Sequence, residues 1–479
     1  MTNEGKYRLT RRNVMCQGSA ALGAALLPAC KPAHTSKYDS DIFVLGAGLS
    51  GLHAARLLEA EGRDVLVLEG ADRVGGRLQT LRHEGGVTTE AGGEQVGASY
   101  ARILDTAADL DVSMTDDAPI RRGTTYHYKG KIFGQEDWKT SAEHPFIGPF
   151  KGRTPAAPLF ALAGQNNPLK NAMDWRDGAF QSVDTSAETF LRAQGFSNSA
   201  LDVIGHTLNG NRLDSYSMMN LYRSLQIYTQ SRDMGPSRSF DEGAEALPEA
   251  MAASLSRQVA RGNMIAKIAA TSDAILVTTQ NGKTFKARYC ICALPFGALR
   301  HVEIDAPLSA AQKAAIDNLP YTQILQIHFK VDVPFWDIDG LPADMWMDGP
   351  LERIFFSRDK DGAILPYGRV WINGDAATAI AAQSNEDISA LLKRELSRTR
   401  QVKPSDIKVL ATKRWTSGNA LAGGAYMHWA PGQISNWAGV MGQSAGRLSF
   451  AGEHLSYLHT GMEGAMESGE NAALSLLYG

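Results

Sequence analysis

The sequence predicts an α/β protein with more than one domain, and three observations support this prediction. The chain has 479 residues, whereas single hydrophobic cores stop growing at roughly 250–300 residues. Residues 41–69 alternate an apolar strand, a glycine-rich turn, a helical segment and a second apolar strand, which is the pattern of a βαβ unit. With 44% hydrophobic and 21% charged residues, the composition is that of an ordinary globular protein.

Net charge and cysteine positions indicate which kinds of partner and which cysteine chemistry to expect. The formal net charge is only -3, so no nucleic-acid partner is predicted. No metal site is predicted either. Two of the four cysteines, Cys290 and Cys292, lie two residues apart in an apolar segment. Their side chains share one face of a strand but are too far apart along it to bond. We therefore predict inert core thiols.

Residues 1–30 have the layout of an export signal. Arg11 and Arg12 precede the apolar run at residues 20–27, which is too short for a membrane span of ~20 residues. The segment resembles a twin-arginine signal, the route for proteins exported already folded. Residues 27–30 also resemble a lipobox ending at Cys30. The sequence thus predicts a periplasmic protein, lipid-anchored or soluble, with an unprocessed helix as the remaining alternative and residues 31–40 as a linker.

The βαβ unit begins with the apolar segment at residues 41–45. The glycines that follow it directly are Gly46, Gly48 and Gly51. A helix up to residue 62 and a strand at residues 65–68 come next, and the strand ends at Glu69. Glycines in this spacing let backbone amides approach a pyrophosphate, and the acid after the second strand is placed to bind a ribose. The unit therefore predicts a Rossmann-type site for a dinucleotide.

Downstream motifs identify a family. The Gly-Gly-Arg motif ending at Arg77, the segment at residues 90–97, and the segments at residues 450–454 and 461–469 resemble those of the flavin-dependent amine oxidases. That family includes monoamine, polyamine and L-amino acid oxidases and histone demethylases. The resemblance implies FAD as cofactor. Besides the βαβ residues, it assigns to FAD binding Arg77, Gly93, Glu94, Ile265, Trp415, Gly452, Glu453 and Met462.

The resemblance also implies a domain organisation. It covers the chain from about residue 41 to the end, and in the family the FAD domain is discontinuous. We expect that domain, of Rossmann type, at residues 38–115, 241–298 and 418–479. Residues 116–240 and 299–417 would then form an interleaved α+β substrate domain.

The substrate side both follows the family pattern and departs from it. Tyr426 stands where the family has one tyrosine of an aromatic cage around the substrate nitrogen, and it is the first catalytic candidate. Ala425 replaces the cysteine that tethers FAD in monoamine oxidases, which predicts non-covalent FAD. Gly461 replaces the second cage aromatic and opens the cavity, and His459 or Tyr457 are the candidates to compensate for it.

The resemblance implies FAD-dependent oxidation of an amine, with hydride passing from the C–N carbon to flavin N5 and hydrolysis of the imine. An L-amino acid oxidase is the main alternative, but the arginine that such enzymes carry near Val96 is absent. Arg121, Arg122 or Arg223 could replace it. A flavin desaturase and a non-catalytic flavin-binding protein are further alternatives that the Tyr426 segment disfavours.

The electron acceptor is predicted from one position. Many relatives place a lysine near flavin N5 that assists the reaction with oxygen, and Arg300 and His301 fall where it would stand. A guanidinium does not reproduce an ammonium-held water. We therefore expect slow re-oxidation by oxygen, with a quinone or cytochrome of the respiratory chain as the alternative acceptor.

Overall fold

A computed structural model describes residues 37–117, 123–359 and 361–479. The predicted twin-arginine signal, the lipobox and most of the linker lie outside the described residues. Arg121 and Arg122, two of the proposed substitutes for a carboxylate-binding arginine, lie outside them as well. Within these ranges no helix is both long and apolar enough to cross a bilayer.

The described residues contain eighteen strands, which are numbered in chain order. They are β1 (Ser40–Leu45), β2 (Val65–Leu68), β3 (Thr80–Arg82), β4 (Thr88–Glu90), β5 (Met114–Asp116), β6 (Thr125–Tyr128), β7 (Lys131–Phe133), β8 (Arg238–Phe240), β9 (Ile265–Ala270), β10 (Ile275–Thr279), β11 (Thr284–Cys292), β12 (Glu303–Asp305), β13 (Ile324–Val331), β14 (Met345–Met347), β15 (Arg353–Arg358), β16 (Ile364–Asn373), β17 (Ile407–Trp415) and β18 (Leu448–Phe450).

Fifteen α-helices accompany these strands in the described ranges. They are α1 (Leu49–Ala60), α2 (Ala101–Asp109), α3 (Gln135–Thr140), α4 (Ala157–Gln165), α5 (Ala187–Ala193), α6 (Asn198–Gly205), α7 (Met218–Ser231), α8 (Ala246–Ala253), α9 (Phe296–Leu299), α10 (Ala310–Asn318), α11 (Phe335–Asp339), α12 (Gly374–Ala381), α13 (Asn385–Arg400), α14 (Gln433–Trp437) and α15 (Gly461–Tyr478).

The first sheet carries the predicted βαβ unit. Its strand order is β12-β9-β10-β11-β1-β2, and β18 also pairs with β11. β1 pairs in parallel with β2 and with β11, and all four residues of β2 are buried, as expected for strands covered on both faces. Helix α1 connects β1 to β2 and packs against α15. This arrangement confirms the predicted α/β class.

The second sheet belongs to the other part of the fold. Its order is β17-β13-β16-β15-β14-β6-β7, and all seven strands fall within the ranges predicted for the substrate domain. Two strands depart from that division, and the first is β8, which pairs with β5, a strand that begins in the predicted FAD range. The second, β12, lies in the predicted substrate range but extends the first sheet, because it pairs in parallel with β9 before the chain leaves that sheet. The domain bounds stay a prediction.

Both described cysteines lie inside the first sheet. Cys290 and Cys292 are on β11, fully buried, and free. They pair in register with strands on both sides of β11. Burial raises the pKa of the Cys292 thiol to about 12, so the reactive thiolate form is suppressed. The structure agrees with inert core thiols.

Candidate active site

One cavity of about 570 Å³ collects nearly all the predicted site residues. Residues from both sheets and from the start of α15 line it. The predicted residues found there are Gly46, Gly48, Glu69, Arg77, Gly93, Glu94, Ile265, His301, Trp415, Tyr426, Gly452, Glu453, Gly461 and Met462. Gly51 and Arg300 are not among its lining residues. The fold therefore brings motifs from opposite ends of the chain to a single site.

The glycine turn forms one wall of the cavity. Gly48 is the N-cap of α1, and a Cβ built there would meet no atom within 4 Å, so the helix N-terminus opens onto free space. Gly51 lies behind this wall, where a Cβ would overlap the carbonyl oxygen of Gly46. Free amides at a helix N-terminus favour an anion. The wall suits a pyrophosphate, and Gly51 serves close packing instead of ligand contact.

Glu69 ends β2 at the edge of the cavity. Its side chain is buried, and the backbone amides of Ala47 and Ala71 donate to its two oxygens at 2.7 and 2.8 Å. These bonds hold the carboxylate in place and leave acceptor lone pairs for hydroxyl donors. Ile265 of β9 lines the same cavity. The arrangement fits a ribose and an apolar ring at this end.

Arg77 joins three distant segments. Its Nη1 donates to the carbonyl oxygen of Ala425 at 2.8 Å and to Glu453 Oε1 at 2.9 Å. Glu453 is almost fully buried and also accepts from the amide of Met427 at 3.1 Å. A charge-assisted pair with a backbone link fixes geometry better than an exposed ion pair does. Arg77 thereby holds the Ala425–Met427 segment against the cavity.

The start of α15 closes another side of the cavity. Gly461, with φ +59, begins the helix, and Met462 lines the cavity beside it. A Cβ on Gly93 would lie 3.1 Å from the sulfur of Met462, so glycine lets the two segments approach closely without displacing that side chain. No built Cβ on Gly461 meets any atom within 4 Å, in agreement with the space that the missing aromatic was expected to leave.

Tyr426 lines the cavity, to which residues of both sheets contribute. Its carbonyl accepts from the amide of Thr322 at 2.8 Å, and the amide of Ala425 donates to the carbonyl of Thr322, also at 2.8 Å. This pairing fixes the backbone on both sides of the ring. Burial raises the pKa of the Tyr426 hydroxyl, so the ring is neutral at physiological pH. Tyr426 can therefore contact a substrate without offering it a charge.

The structure corrects the prediction for Arg300. Its Nε donates to the carbonyl oxygen of Ile316 at 2.7 Å, and its Nη2 donates to that of Leu319. These are free carbonyls at the end of α10, which need donors. Arg300 thus caps a helix and does not face the cavity, whereas the adjacent His301 does line it. The expectation of slow re-oxidation loses the residue on which it was based.

Three other residues predicted to contact the substrate make contacts within the protein instead. His459 and Tyr457 do not line the cavity; the ring of His459 lies against Tyr100, and Arg176 covers the ring of Tyr457. Neither replaces the missing cage aromatic. Arg223 is buried, and its Nη2 donates to carbonyl oxygens of the loop before α15. A guanidinium used in this way is not available to bind a substrate carboxylate.

Several cavity residues lie outside the sequence motifs, and three of them are neighbours across the second sheet. Lys413, Gln326 and Trp371 are register neighbours on β17, β13 and β16, and all three line the cavity. A sequence signal was present for one of them, since Gln326, His328 and Lys330 alternate with apolar residues along β13, which indicates one polar face on that strand. Burial, with Arg73 as a smaller cause, lowers the pKa of the Lys413 ammonium.

The residues present fit FAD. An open helix N-terminus, a fixed carboxylate at the end of β2 and an apolar region near Tyr426 all line one cavity, which meets the pyrophosphate, ribose and ring requirements of a dinucleotide. Fold and cavity together define a flavin-binding oxidoreductase.

Comparison with known proteins identifies the family. Residues 49–477 match the model of the flavin containing amine oxidoreductases, and the chain belongs to this family. Human amine oxidase [flavin-containing] B is 26% identical over 470 residues, which cover 91% of this chain and 86% of the relative. The flavin-containing amine oxidase of Oncorhynchus mykiss is also 26% identical, over 93% and 87% of the two chains. The protein is therefore an FAD-dependent enzyme that oxidises amines.

Solved structures share the fold. Cyclohexylamine oxidase from Brevibacterium oxydans superposes with a TM-score of 0.74 at 19% identity, over 91% of this chain and 98% of its own. Wild-type putrescine oxidase bound to putrescine gives a TM-score of 0.71 at 20% identity, over 91% and 99%. The two-sheet architecture with an interleaved second domain is thus that of known amine oxidases.

Proposed function

We propose that this enzyme oxidises a primary or secondary amine without an α-carboxylate, using FAD held without a covalent bond. The observation that carries the proposal is Tyr426, a neutral ring fixed in the cavity beside Ala425. When bound, FAD supplies the acceptor for the hydride that leaves the C–N carbon, and water then hydrolyses the imine. Low polarity around Tyr426 favours the neutral form of the amine.

The L-amino acid oxidase alternative requires a cation for the substrate carboxylate. Among the described cavity residues, Arg77 is paired with Glu453 and Glu94 with Arg369. Lys413 and Arg414 also line the cavity and have no ion pair in the described ranges. Arg414 donates to the carbonyl oxygens of Ala381 and Gln383 and to Asn385 Oδ1, so that alternative would depend on Lys413. This makes the two substrate classes separable by experiment.

We expect an amine to reduce the flavin with a higher kcat/KM than its α-carboxylated parent does. The physical reason is that a carboxylate entering the cavity loses hydration without a committed partner. Anaerobic bleaching of the flavin, measured for matched pairs such as phenethylamine and phenylalanine, tests this. A clear preference for the amino acid that disappears in Lys413→Met would establish the alternative.

The flavin should be released on acid precipitation. Ala425 offers no thiol, and the two cysteines of the described ranges are buried in β11 away from the cavity lining. We expect the yellow colour in the supernatant and a mass of the released compound equal to that of FAD. Colour that stays with the denatured pellet would contradict this assignment.

For re-oxidation we propose molecular oxygen, with a respiratory-chain quinone or cytochrome as the alternative acceptor. Lys413 lines the cavity whereas Arg300 does not, and an ammonium beside the cavity stabilises negative charge that forms on oxygen. In stopped-flow mixing of reduced enzyme with oxygen, Lys413→Met should slow re-oxidation by about 10-fold, or ~1.4 kcal/mol. Arg300→Lys is the matched control and should leave the rate unchanged. Equal rates in wild type and Lys413→Met would remove Lys413 from this role.

We also propose that the enzyme is periplasmic, exported by the twin-arginine route and anchored by lipid at Cys30. The support is the pattern of residues 1–30 alone. Cell fractionation of wild type, Arg11→Lys with Arg12→Lys, and Cys30→Ala tests it. Retention of the double variant in the cytoplasm is expected, together with release of Cys30→Ala from the membrane fraction; unchanged distributions would refute the proposal.

A further inference from the structure

Arg353 is a desolvated arginine beside the substrate side of the cavity. On β15 it is the register neighbour of Trp371, which lines the cavity. Its Nη1 donates to the carbonyl oxygen of Thr207 at 3.4 Å and to Asn209 Oδ1 at 3.2 Å. The Nε and Nη2 atoms are buried and have no hydrogen-bond partner among the described residues. A buried charged group that lacks hydrogen-bond partners lowers the stability of a fold, so its presence needs an explanation.

Two other largely buried arginines of the described chain have acidic partners. Arg400 pairs with Asp339 at 2.7 Å, and Arg358 pairs with Asp344 at 3.4 Å. Arg353 has no ion pair within the described ranges. Arg223, also buried and with an unpartnered Nε, has no ion pair in these ranges either, but its Nη2 donates to three carbonyl oxygens of the loop before α15.

Few charges surround Arg353. The acidic group that acts on Arg353 is Glu352. Glu352 is buried, and its carboxylate accepts a hydrogen bond from the amide of Asn373 at 3.0 Å. Burial raises the pKa of Glu352 to about 7, so much of it is neutral at physiological pH. The positive charge of Arg353 also interacts electrostatically with the hydroxyl of Tyr426. The other titratable group that acts on Tyr426 is the hydroxyl of Tyr228, so no strong negative charge offsets Arg353 there.

We propose that Arg353 supplies an uncompensated positive charge to the substrate side of the cavity, where it favours the neutral form of the bound amine and disfavours substrates with a second ammonium group. Two positive charges repel strongly across a medium of low polarity, without any direct contact. The neutral amine is the form that can give up a hydride. The inference rests on the proposed substrate class, because it concerns the amine that Tyr426 contacts.

The pH profile of flavin reduction tests the proposal. In anaerobic stopped-flow experiments with saturating butylamine, Arg353→Met should raise the kinetic pKa of the bound amine by about one unit, as expected for loss of a cation at intermediate distance. Glu352→Gln removes a group that is negative above about pH 7 and should move that pKa in the opposite direction. The kcat/KM ratio of 1,4-diaminobutane to butylamine should rise about 10-fold in Arg353→Met.

Two further variants control for packing. Arg353→Lys keeps the charge and should restore the wild-type pKa even if its contacts with Thr207 and Asn209 are lost. Arg394→Met removes an exposed cation on α13 and should have no effect.

The outcomes distinguish a failure of the proposed function from a failure of the role proposed for Arg353. If no amine bleaches the flavin of the wild-type enzyme, the proposed function fails and this inference fails with it. If amines bleach the flavin but the kinetic pKa and the diamine ratio are unchanged in Arg353→Met, only the inference fails. A loss of rate by the same factor at every pH would assign Arg353 a structural role and would likewise overturn the proposal.

Discussion

Replacing Tyr426 with alanine should slow flavin reduction by about 10–100-fold, which corresponds to roughly 1.4–2.7 kcal/mol of transition-state positioning. The ring lies in the cavity on a backbone fixed by Thr322. Its loss leaves the amine free to move away from the orientation that hydride transfer needs. The measurement is the rate of anaerobic bleaching at saturating amine.

Tyr426→Phe is the matched control. It retains the ring and removes the hydroxyl, whose pKa is raised by burial and which is therefore neutral in the working enzyme. We expect a reduction rate within about 3-fold of wild type, since mainly the ring contact is used. A normal flavin spectrum with an unchanged rate in Tyr426→Ala would place Tyr426 among ordinary packing residues.

Local patterns predicted the FAD side of the molecule well. The βαβ unit could be recognised because the turn needs glycines and the buried strands need continuous apolar runs, so each element leaves its own mark on the sequence. Glu69 was found by its spacing alone. The cavity that gathers these residues with Gly452 and Met462 confirms that they meet, although their separate roles stay predictions.

The substrate side was harder to predict for a physical reason. Lys413, Gln326 and Trp371 are neighbours only because β17, β13 and β16 pair in one register, and pairing between distant strands has no local signature. Arg300 is the reverse case, a residue that the sequence placed at the cavity and the structure does not. Its position after a motif indicated a cavity residue, but the free carbonyls at the end of α10 take up its guanidinium.

Replacing Arg77 with methionine should have the largest effect on cofactor content. Arg77 lines the cavity and holds the carbonyl of Ala425 and the carboxylate of Glu453 at once. Its removal takes away a cation that suits a diphosphate and leaves the buried Glu453 without its charged partner. We expect FAD content to fall more than about 10-fold and the unfolding free energy to drop by about 2–4 kcal/mol, somewhat less than for a fully buried pair.

A second substitution separates these two consequences of losing Arg77. Adding Glu453→Gln to Arg77→Met removes the unpaired charge while the side-chain oxygen can still accept from the amide of Met427. Stability should therefore recover in part, whereas FAD binding should not, because the cation is still missing. Arg82→Met is the control: its side chain is half exposed and its contacts with Glu245 and Glu249 are as long as 3.7 and 3.9 Å, so a change below about 0.5 kcal/mol is expected. Full FAD occupancy in Arg77→Met, measured by the ratio of flavin to protein absorbance, would show that Arg77 organises the Ala425–Met427 segment without binding the cofactor.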